Sequence, residues 1–244
     1  MNATSPTATD DRIVVIERDD VAVIRIDRPT KLNALTRGMR LALTSAVRAY
    51  GDGTRAKGIV VTGAGRAFSA GKDLSEGFEG SFQDSLDDFN DMTRAILATK
   101  VPTIAAINGI AVGGAAEFTL CFDARVGAPT AEFYFPENML GLPISNASSL
   151  LLPRLVGPAQ ANRLLLESPR TDASRALALG LLDDVHEPGD LVDEAVERAR
   201  RWSSPGANGL MLSLLRPVPD AVEAAMDRES RVAAAIWSEL KQST

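Results

Sequence analysis

One carboxylate stands in the middle of an apolar run that is predicted to form a strand, a turn and a helix. Residues 103–107 are predicted as a buried strand, and residues 113–122 as an apolar helix. Gly113 and Gly114 carry no Cβ, so their backbone can approach a ligand closely, and their N–H groups lie at a helix N-terminus. Glu117 follows Gly114 by three residues, which places a hydrogen-bond donor and a carboxylate on one helix face.

The composition is that of an ordinary globular protein. The 244 residues are 45% hydrophobic and 24% charged, with a formal net charge of −6. No extended basic cluster is present, which argues against a nucleic-acid partner and against an anionic membrane surface. The single cysteine, Cys121, lies in an apolar helix and favours a reducing, cytoplasmic location. No apolar run reaches about 18 residues, and residues 1–11 are predicted as a disordered lead.

Strands and helices alternate along the first two thirds of the chain, and helices follow alone. A hairpin is predicted over residues 13–26 and a central strand over residues 58–62. Residues 63–81 read as one long, Gly- and Ser-rich loop, and such loops are often functional. Helices are predicted over residues 36–50, 84–99, 147–152, 158–167, 172–179, 190–203 and 219–240. This order indicates an α/β core, over residues 12–190, with an α-helical C-terminal region, over residues 191–244.

The absence of certain residues and motifs argues against several kinds of chemistry. His186 is the only histidine, and beside acidic residues it is predicted to be part of the surface structure. No His/Cys cluster has the spacing of a metal site, so no metal is expected. Neither a complete dinucleotide fingerprint nor a Walker lysine is present, so no nucleotide cofactor is expected.

Two strand-to-turn segments can supply backbone donors. The segment 67–74 follows the strand at residues 58–62, as the Gly113-Gly114 pair follows the strand at 103–107. The N–H groups of Ala70 and Gly114 are predicted to hold one oxyanion together. The alternative is that each segment is only a tight turn.

Glu117 and Glu137 both lie in apolar sequence. Burial raises the pKa of a carboxyl group, and two carboxylates at one site raise one pKa further. Such a pair can hold one proton and act as base and acid around a water molecule. An ordinary buried salt bridge, for example of Glu117 with Arg125, is the alternative that spacing leaves open.

These residues resemble the crotonase (enoyl-CoA hydratase/isomerase) superfamily. The matching elements fall in the family's order: Arg28-Pro-x-Lys-x-Asn-Ala-Leu35, Phe68-Ser-Ala-Gly-x-Asp-Leu74, Asn108-Gly-x-Ala-x-Gly-Gly-x-x-Glu117, Phe135-Pro-Glu137, Leu152-Pro-Arg-Leu-Val-Gly157 and Ala178-Leu-Gly-Leu-Leu-Asp183. The resemblance implies a crotonase-like ββα spiral core that binds an acyl-CoA thioester. It also implies a homotrimer or homohexamer, in which the C-terminal helices take part in oligomerisation or cover the active site.

Site residues carry over from the family by position. The N–H groups of Ala70 and Gly114 resemble the oxyanion hole for the thioester carbonyl, and Glu117 and Glu137 match the two glutamates of the hydratases. The residues that resemble substrate and CoA contacts are Lys31, Ser69, Ala70, Lys72, Asp73, Leu74 and Gly113. Coenzyme A is expected only as part of the substrate, with no separate cofactor.

Three departures from the family pattern bear on the reaction. Pro143-Ile-Ser-Asn-Ala-Ser148 replaces the usual Pro-Gly-x-Gly-Gly run and adds polar side chains. Phe135 stands where hydratases often carry Gln or Leu, and this bulkier wall favours a raised pKa for Glu137. The usual closing Ala-Phe-x-Glu-Lys-Arg segment is absent.

The leading hypothesis is hydration of a trans-2-enoyl-CoA, because both glutamates are present. The alternatives are an enoyl-CoA double-bond isomerase that uses Glu137, an acyl-CoA hydrolase or C–C lyase acting on a branched or cyclic substrate, and a non-catalytic accessory subunit. The retained glutamate pair argues against the accessory subunit.

Overall fold

The computed structural model describes residues 12–77, 82–203 and 208–242. The predicted disordered lead, residues 1–11, lies outside the described residues. The described chain is a mixed α/β structure built on two sheets. The strands are β1 (Ile13–Arg18), β2 (Val21–Ile26), β3 (Gly58–Gly63), β4 (Ala67–Ser69), β5 (Thr103–Ile107), β6 (Ile110–Val112), β7 (Ala124–Gly127), β8 (Glu132–Tyr134), β9 (Thr171–Asp172) and β10 (Asp184–Val185).

The larger sheet has six strands in the order β1-β2-β3-β5-β7-β10. β1 and β2 form the predicted antiparallel hairpin, and the remaining neighbours pair in parallel. The smaller sheet has the order β4-β6-β8-β9, with β4, β6 and β8 parallel and β9 antiparallel. Consecutive strands therefore alternate between the two sheets: β3 and β4, then β5 and β6, then β7 and β8.

A helix follows each of these strand pairs, and the repeated unit is the predicted ββα spiral. The helices are α1 (Arg37–Tyr50), α2 (Phe82–Leu97), α3 (Gly114–Thr119), α4 (Ser148–Val156), α5 (Pro158–Leu166), α6 (Ala173–Leu179), α7 (Leu191–Ser203), α8 (Asn208–Leu215) and α9 (Pro219–Gln242). α1 begins as predicted, because the Thr36 hydroxyl accepts a hydrogen bond from the Met39 N–H. Gly180 ends α6 in the left-handed conformation, with φ of 82°, as predicted.

The two faces of the larger sheet are covered by different helices. β3 and β5 are buried along their whole length, which explains their uninterrupted apolar sequence. On one face, Val60 and Ile104 pack in a cluster with Ala195 and Ala199 of α7. The region predicted as a separate helical part after residue 190 thus begins with a helix that covers this sheet. The opposite face belongs to the main core, which also holds the buried sides of α1 and α2.

Short elements account for most differences from the sequence predictions. The segment predicted as a loop over residues 63–81 contains β4 and a 3-10 turn, Leu74–Glu76. β6 lies within the predicted turn at Asn108, and α8 was not predicted. Strands of three residues are too short for a hydrophobic period to appear in the sequence.

The C-terminal helix α9 packs its apolar side against the core. Val222, Ala225, Met226 and Ala233 are buried at helical spacing on this side. α9 contacts both α2 and α4, so it connects the helix that precedes α3 with the helix that follows it. Among the described helices, none combines the length and apolar character that a membrane span needs.

Candidate active site

A cavity of about 180 Å³ opens between α2, the start of α3 and the segment after β8. Its walls are largely apolar, and they include Leu86 and Phe89 of α2. The other residues that line it are Ala70, Gly71, Lys72, Leu74, Ser85, Val112, Gly113, Gly114, Glu117, Pro136, Glu137, Leu140, Leu142, Pro143 and Ser145. The two glutamates singled out in the sequence therefore share one cavity, although 20 residues separate them.

Glu117 is the more enclosed of the two carboxylates, with 1% of its surface exposed. It is the fourth residue of the short helix α3 and belongs to the first turn of that helix. Burial raises the pKa of Glu117 well above its ordinary value, and the negative charge of Glu137 raises it further. The predicted effect of burial and of a neighbouring carboxylate on this pKa is thus present.

Three donors converge on one oxygen of Glu117. Its Oε2 accepts hydrogen bonds from the Ser145 N–H at 3.0 Å, the Ser145 hydroxyl at 2.5 Å and the Asn146 amide at 3.2 Å. Its Oε1 is buried and has no hydrogen-bond partner among the described residues. Because Oε2 acts only as an acceptor, a proton carried by Glu117 resides on Oε1.

The loop that replaces the glycine run of the family supplies all three of these hydrogen bonds. Asn146 is itself held by α2, since its N–H donates to Asn90 Oδ1 at 3.0 Å and its Oδ1 accepts from the Thr93 hydroxyl at 2.8 Å. Asn146 and Ala147 both have positive φ, of 61° and 56°. Such backbone conformations persist only where the surroundings fix them, as these side-chain contacts do.

Glu137 lies three residues after the end of β8, immediately before a 3-10 turn, Asn138–Leu140. Burial raises its pKa from 4.5 to about 7. Its Oε2 is buried without a hydrogen-bond partner among the described residues, as is Glu117 Oε1. Gly113 has φ of 56° and ψ of −131°, and a Cβ there would lie 2.8 Å from Glu137 Oε1. The absence of a side chain at position 113 therefore makes room for this carboxylate.

The predicted pair of backbone donors needs one correction. Gly114 is the first residue of α3, so its N–H has no acceptor within the helix. The Ala70 N–H, in contrast, donates to the Leu32 carbonyl at 2.9 Å. Ala70 lines the cavity, but this hydrogen bond directs its N–H elsewhere, and its predicted role as an oxyanion donor was wrong.

The N–H of Lys72, in the same segment, faces away from Leu32 and Leu35. The Leu35 N–H donates to the Gly71 carbonyl at 2.7 Å, and the Asp73 N–H donates to the Leu35 carbonyl at 3.0 Å. Lys72 lies between these two bonds in a parallel bridge with Leu35, so its own N–H points to the opposite side. A Cβ on the neighbouring Gly71 would lie 3.7 Å from the Gly114 nitrogen, which shows how closely the two segments approach.

The other residues predicted to contact CoA have different surroundings. Leu74 lines the cavity and is 74% exposed, and the Lys72 ammonium group donates to the Gly77 carbonyl at 2.8 Å. Ser69 is buried and donates to the Asn33 carbonyl at 2.8 Å, which shapes the turn. Asp73 bonds Ser75 and pairs with Arg28, and these partners hold the pKa of its carboxyl group below its usual range. Lys31 is exposed. Contacts of these residues with CoA stay a prediction.

The salt-bridge alternative for Glu117 was wrong. Arg125 is buried, but it donates to the carbonyls of Leu181 and Phe122 and pairs with Asp183 at 3.4 Å. His186 lies beside β10, and its N–H donates to the Gly127 carbonyl. No group of His, Cys, Asp or Glu that would suit a metal ion occurs within the described ranges.

One buried carboxylate near the site was missed in the sequence. Glu229 of α9 is 5% exposed, and it accepts hydrogen bonds from the N–H groups of Ala147 and Ser149. The signal was present, because Glu229 falls in the apolar stripe that Val222, Ala225, Met226 and Ala233 form. A carboxylate in such a stripe needs a partner, and only the tertiary structure shows which one.

Comparison with known proteins shows the family to which this chain belongs. The sequence model of the family described as enoyl-CoA hydratase/isomerase matches residues 17–243. The chain belongs to this family, and it is an enzyme of the crotonase fold.

Individual relatives agree with this assignment. The crotonyl-CoA hydratase of Syntrophomonas wolfei is 34% identical over 213 residues, which are 83% of this chain and 80% of that protein. A probable enoyl-CoA hydratase, echA6, of Mycobacterium tuberculosis is 36% identical over 77% of this chain and 76% of its own. The crystal structure of an enoyl-CoA hydratase/isomerase from Pseudoalteromonas atlantica superposes with a TM-score of 0.84 at 32% identity, covering 92% of this chain and 91% of that one.

Proposed function

We propose that this enzyme adds water to a trans-2-enoyl-CoA thioester and forms a 3-hydroxyacyl-CoA. The observation that carries the proposal is the pair of buried carboxylates in one cavity. Each has one oxygen without a hydrogen-bond partner among the described residues, namely Glu117 Oε1 and Glu137 Oε2. Two such acceptors suit a water molecule held between them, because water needs two to four polar partners.

Stabilisation of the thioester oxygen falls to backbone donors. When water attacks C3, negative charge moves through C2 to the thioester carbonyl oxygen and forms an enolate. The Gly114 N–H, at the start of α3, is one donor to this oxygen. The direction of the Lys72 N–H makes it the second, in place of the Ala70 N–H.

The two glutamates divide the proton transfers. In the substrate complex, the three hydrogen bonds to Glu117 Oε2 favour its ionised form, so we assign the one shared proton to Glu137 and the role of base to Glu117. Glu117 Oε1 takes a proton from water as the water oxygen bonds to C3, and Glu137 gives its proton to C2. One water molecule is added, and the proton then returns from Glu117 to Glu137 through the next water. The pKa of Glu137, about 7, suits a group that must both hold and release a proton near neutral pH.

The apolar walls receive the acyl chain. Leu86, Phe89 and Leu142 line the cavity beside the carboxylates, and Leu74 lies near the Lys72 segment. Coenzyme A enters as part of the substrate, and the reaction needs no further cofactor or metal.

A double-bond isomerase is the second candidate, because Glu137 alone suffices to move a proton between two carbons. Its raised pKa and the room that Gly113 leaves beside its carboxylate favour this candidate. Hydration differs in requiring Glu117 as well.

A panel of 2-enoyl-CoA and 3-enoyl-CoA thioesters tests the proposal on the purified chain. Mass spectrometry of the products separates the candidates, since hydration adds the mass of one water and isomerisation leaves the mass unchanged. We expect hydration of the 2-enoyl thioesters. Isomerisation alone, release of free CoA or no turnover would contradict the proposal.

Self-association as a homotrimer or homohexamer and a cytoplasmic location are also proposed. The support for association is a group of exposed apolar side chains on α8 and just after it, namely Leu210, Met211, Leu214, Leu215 and Val218. The unpaired, buried Cys121 supports a reducing compartment. Sedimentation equilibrium tests the association, and a monomer at micromolar concentration would contradict it.

A further inference from the structure

One side chain of the C-terminal helix α9 contacts the loop beside the catalytic cavity. Glu229 is buried on the core side of α9, between Met226 and Ala233. Its Oε2 accepts from the Ala147 N–H at 3.0 Å, and its Oε1 accepts from the Ser149 N–H at 2.8 Å. Both oxygens of one carboxylate are therefore used to hold the backbone at the start of α4.

The start of α4 needs this carboxylate because its own sequence offers no cap. Ala147 occupies the N-cap position, where Ser, Thr, Asp or Asn usually accepts a hydrogen bond from the first turn. An alanine cannot do so, and the first N–H groups of a helix have no intrahelical acceptor. Glu229 takes over the function of the cap from a distant part of the chain, and its negative charge suits the positive end of the helix dipole.

The residues that this cap holds are the residues that hold Glu117. Ser145 and Asn146 come immediately before Ala147, and they donate all three hydrogen bonds to Glu117 Oε2. Two successive residues in the left-handed region, Asn146 and Ala147, connect these donors to the cap. A shift of the Ala147 backbone would therefore move the Ser145 N–H and hydroxyl away from the catalytic carboxylate.

We infer that Glu229 is a positioning residue for hydration, which acts on Glu117 through the loop 145–147. This inference rests on the proposed function, and it makes α9 part of the catalytic structure and not only a cover over the core. Glu229 does not touch the cavity. Its effect is to keep Glu117 Oε1 directed at the water by fixing the donors to Oε2.

Two variants of Glu229 separate geometry from charge. Glu229→Gln keeps the size of the side chain but replaces one acceptor by a donor, which opposes the N–H that it faces. Glu229→Asp keeps the charge but is one methylene shorter, so it cannot reach both N–H groups. We expect kcat to fall about tenfold in both variants, with KM for the enoyl thioester within twofold of the wild type.

A matched control lies on the same helix. Glu223 of α9 pairs with Arg94 of α2 at 2.8 Å and has no contact with the loop 145–149 in the described structure. Glu223→Gln weakens the attachment of α9 without touching the cap, and we expect its kcat to stay within twofold of the wild type.

A double-mutant cycle with Ser145→Ala tests the route of the effect. Ser145→Ala removes the hydroxyl donor to Glu117 Oε2 and leaves the Ser145 N–H and the Asn146 amide, so we expect the loss of kcat from Glu229→Gln to be clearly smaller than tenfold in this background without disappearing. Amide hydrogen exchange at Ala147 and Ser149 measures the cap itself, independently of turnover, and we expect faster exchange in both Glu229 variants. If Glu229→Gln does not fold, Glu229→Asp carries the same cycle.

Three results would overturn the inference. The first is an unchanged kcat in a folded Glu229 variant that shows faster exchange at Ala147 and Ser149. The second is full activity in Glu229→Asp with a loss only in Glu229→Gln. The third is a full tenfold loss from Glu229→Gln in the Ser145→Ala background. A wild-type protein without hydratase activity would instead contradict the proposed function, while the exchange experiment would still report on the cap.

Discussion

Glu117 and Glu137 line the same cavity, yet they are held in opposite ways. Glu117 lies on a short helix between buried strands, and three donors fix one of its oxygens. Glu137 begins a surface turn whose next residues, Met139 and Leu140, are more than 60% exposed. No side chain in the described structure donates to its Oε2. The comparison supports the proposed division of roles, in which Glu117 holds the water and takes its proton and Glu137 gives a proton to C2.

The largest expected effect follows from removing the carboxylate that exchanges the proton. Glu137→Gln removes the acid that protonates C2, and general acid catalysis contributes about 10²–10⁴-fold. We expect kcat for hydration to fall about 10³-fold, as measured with the best thioester of the panel. Glu132→Gln is the control, because Glu132 lies on β8 and pairs with Arg170. A loss below tenfold in Glu137→Gln would show that the proton comes from elsewhere.

The same substitution is expected to change the pH dependence of stability. The folded pKa of Glu137, about 7, lies above the ordinary value of 4.5, so the folded state binds the proton more tightly than the unfolded state. The free energy of unfolding therefore falls as pH rises from 4.5 to 7, by about 3 kcal/mol in all at about 1.4 kcal/mol per pKa unit. Glu137→Gln lacks this fall.

Denaturant unfolding at pH 5 and pH 8 measures this difference. From pH 5 to pH 8, we expect the free energy of unfolding of the variant to rise by on the order of 2 kcal/mol relative to that of the wild type. If the free energies of unfolding of the two proteins differ by the same amount at both pH values, burial does not raise the pKa of Glu137.

A smaller effect is expected from filling the space beside Glu137. In Gly113→Ala, the new Cβ would lie 2.8 Å from Glu137 Oε1, and the backbone at φ of 56° and ψ of −131° disfavours alanine. The carboxylate must move by several tenths of an ångström, and we expect kcat to fall about 10- to 100-fold. Gly77→Ala is the control, since Gly77 has a similar backbone conformation, with φ of 62° and ψ of −152°, but open space around its Cβ position. Equal losses in the two variants would attribute the effect to backbone strain and not to the displaced carboxylate.

The sequence predicted those parts of the site that are carried by local patterns. The apolar strand at 103–107, the glycines at 113 and 114 and the two glutamates in apolar sequence were all apparent before the fold was known. The crotonase fold followed from the order of the motifs. The sequence left two partners open for Glu117, namely Arg125 in a salt bridge and Glu137 in a carboxylate pair. Only the tertiary structure decides between them.

What the sequence did not predict depends on backbone direction and on contacts between distant segments. The Ala70 N–H is used by the Leu32 carbonyl because the chain at Leu32 turns with positive φ, and no pattern in residues 67–74 shows this. Glu229 lies 82 residues along the chain from Ala147, whose N–H donates to it at the start of α4. β6 and α8 were missed because one is too short and the other too uniformly apolar for a period to appear.

The measurement that tests the division of roles most directly is hydration of a trans-2-enoyl-CoA by Glu117→Gln beside the wild type. We expect a fall in kcat of at least about 100-fold, with the thioester still bound at similar affinity, because the base that activates water is gone. Unimpaired hydration in a folded Glu117→Gln protein would contradict the account, since the carboxylate that Ser145 and Asn146 hold would then have no part in the reaction.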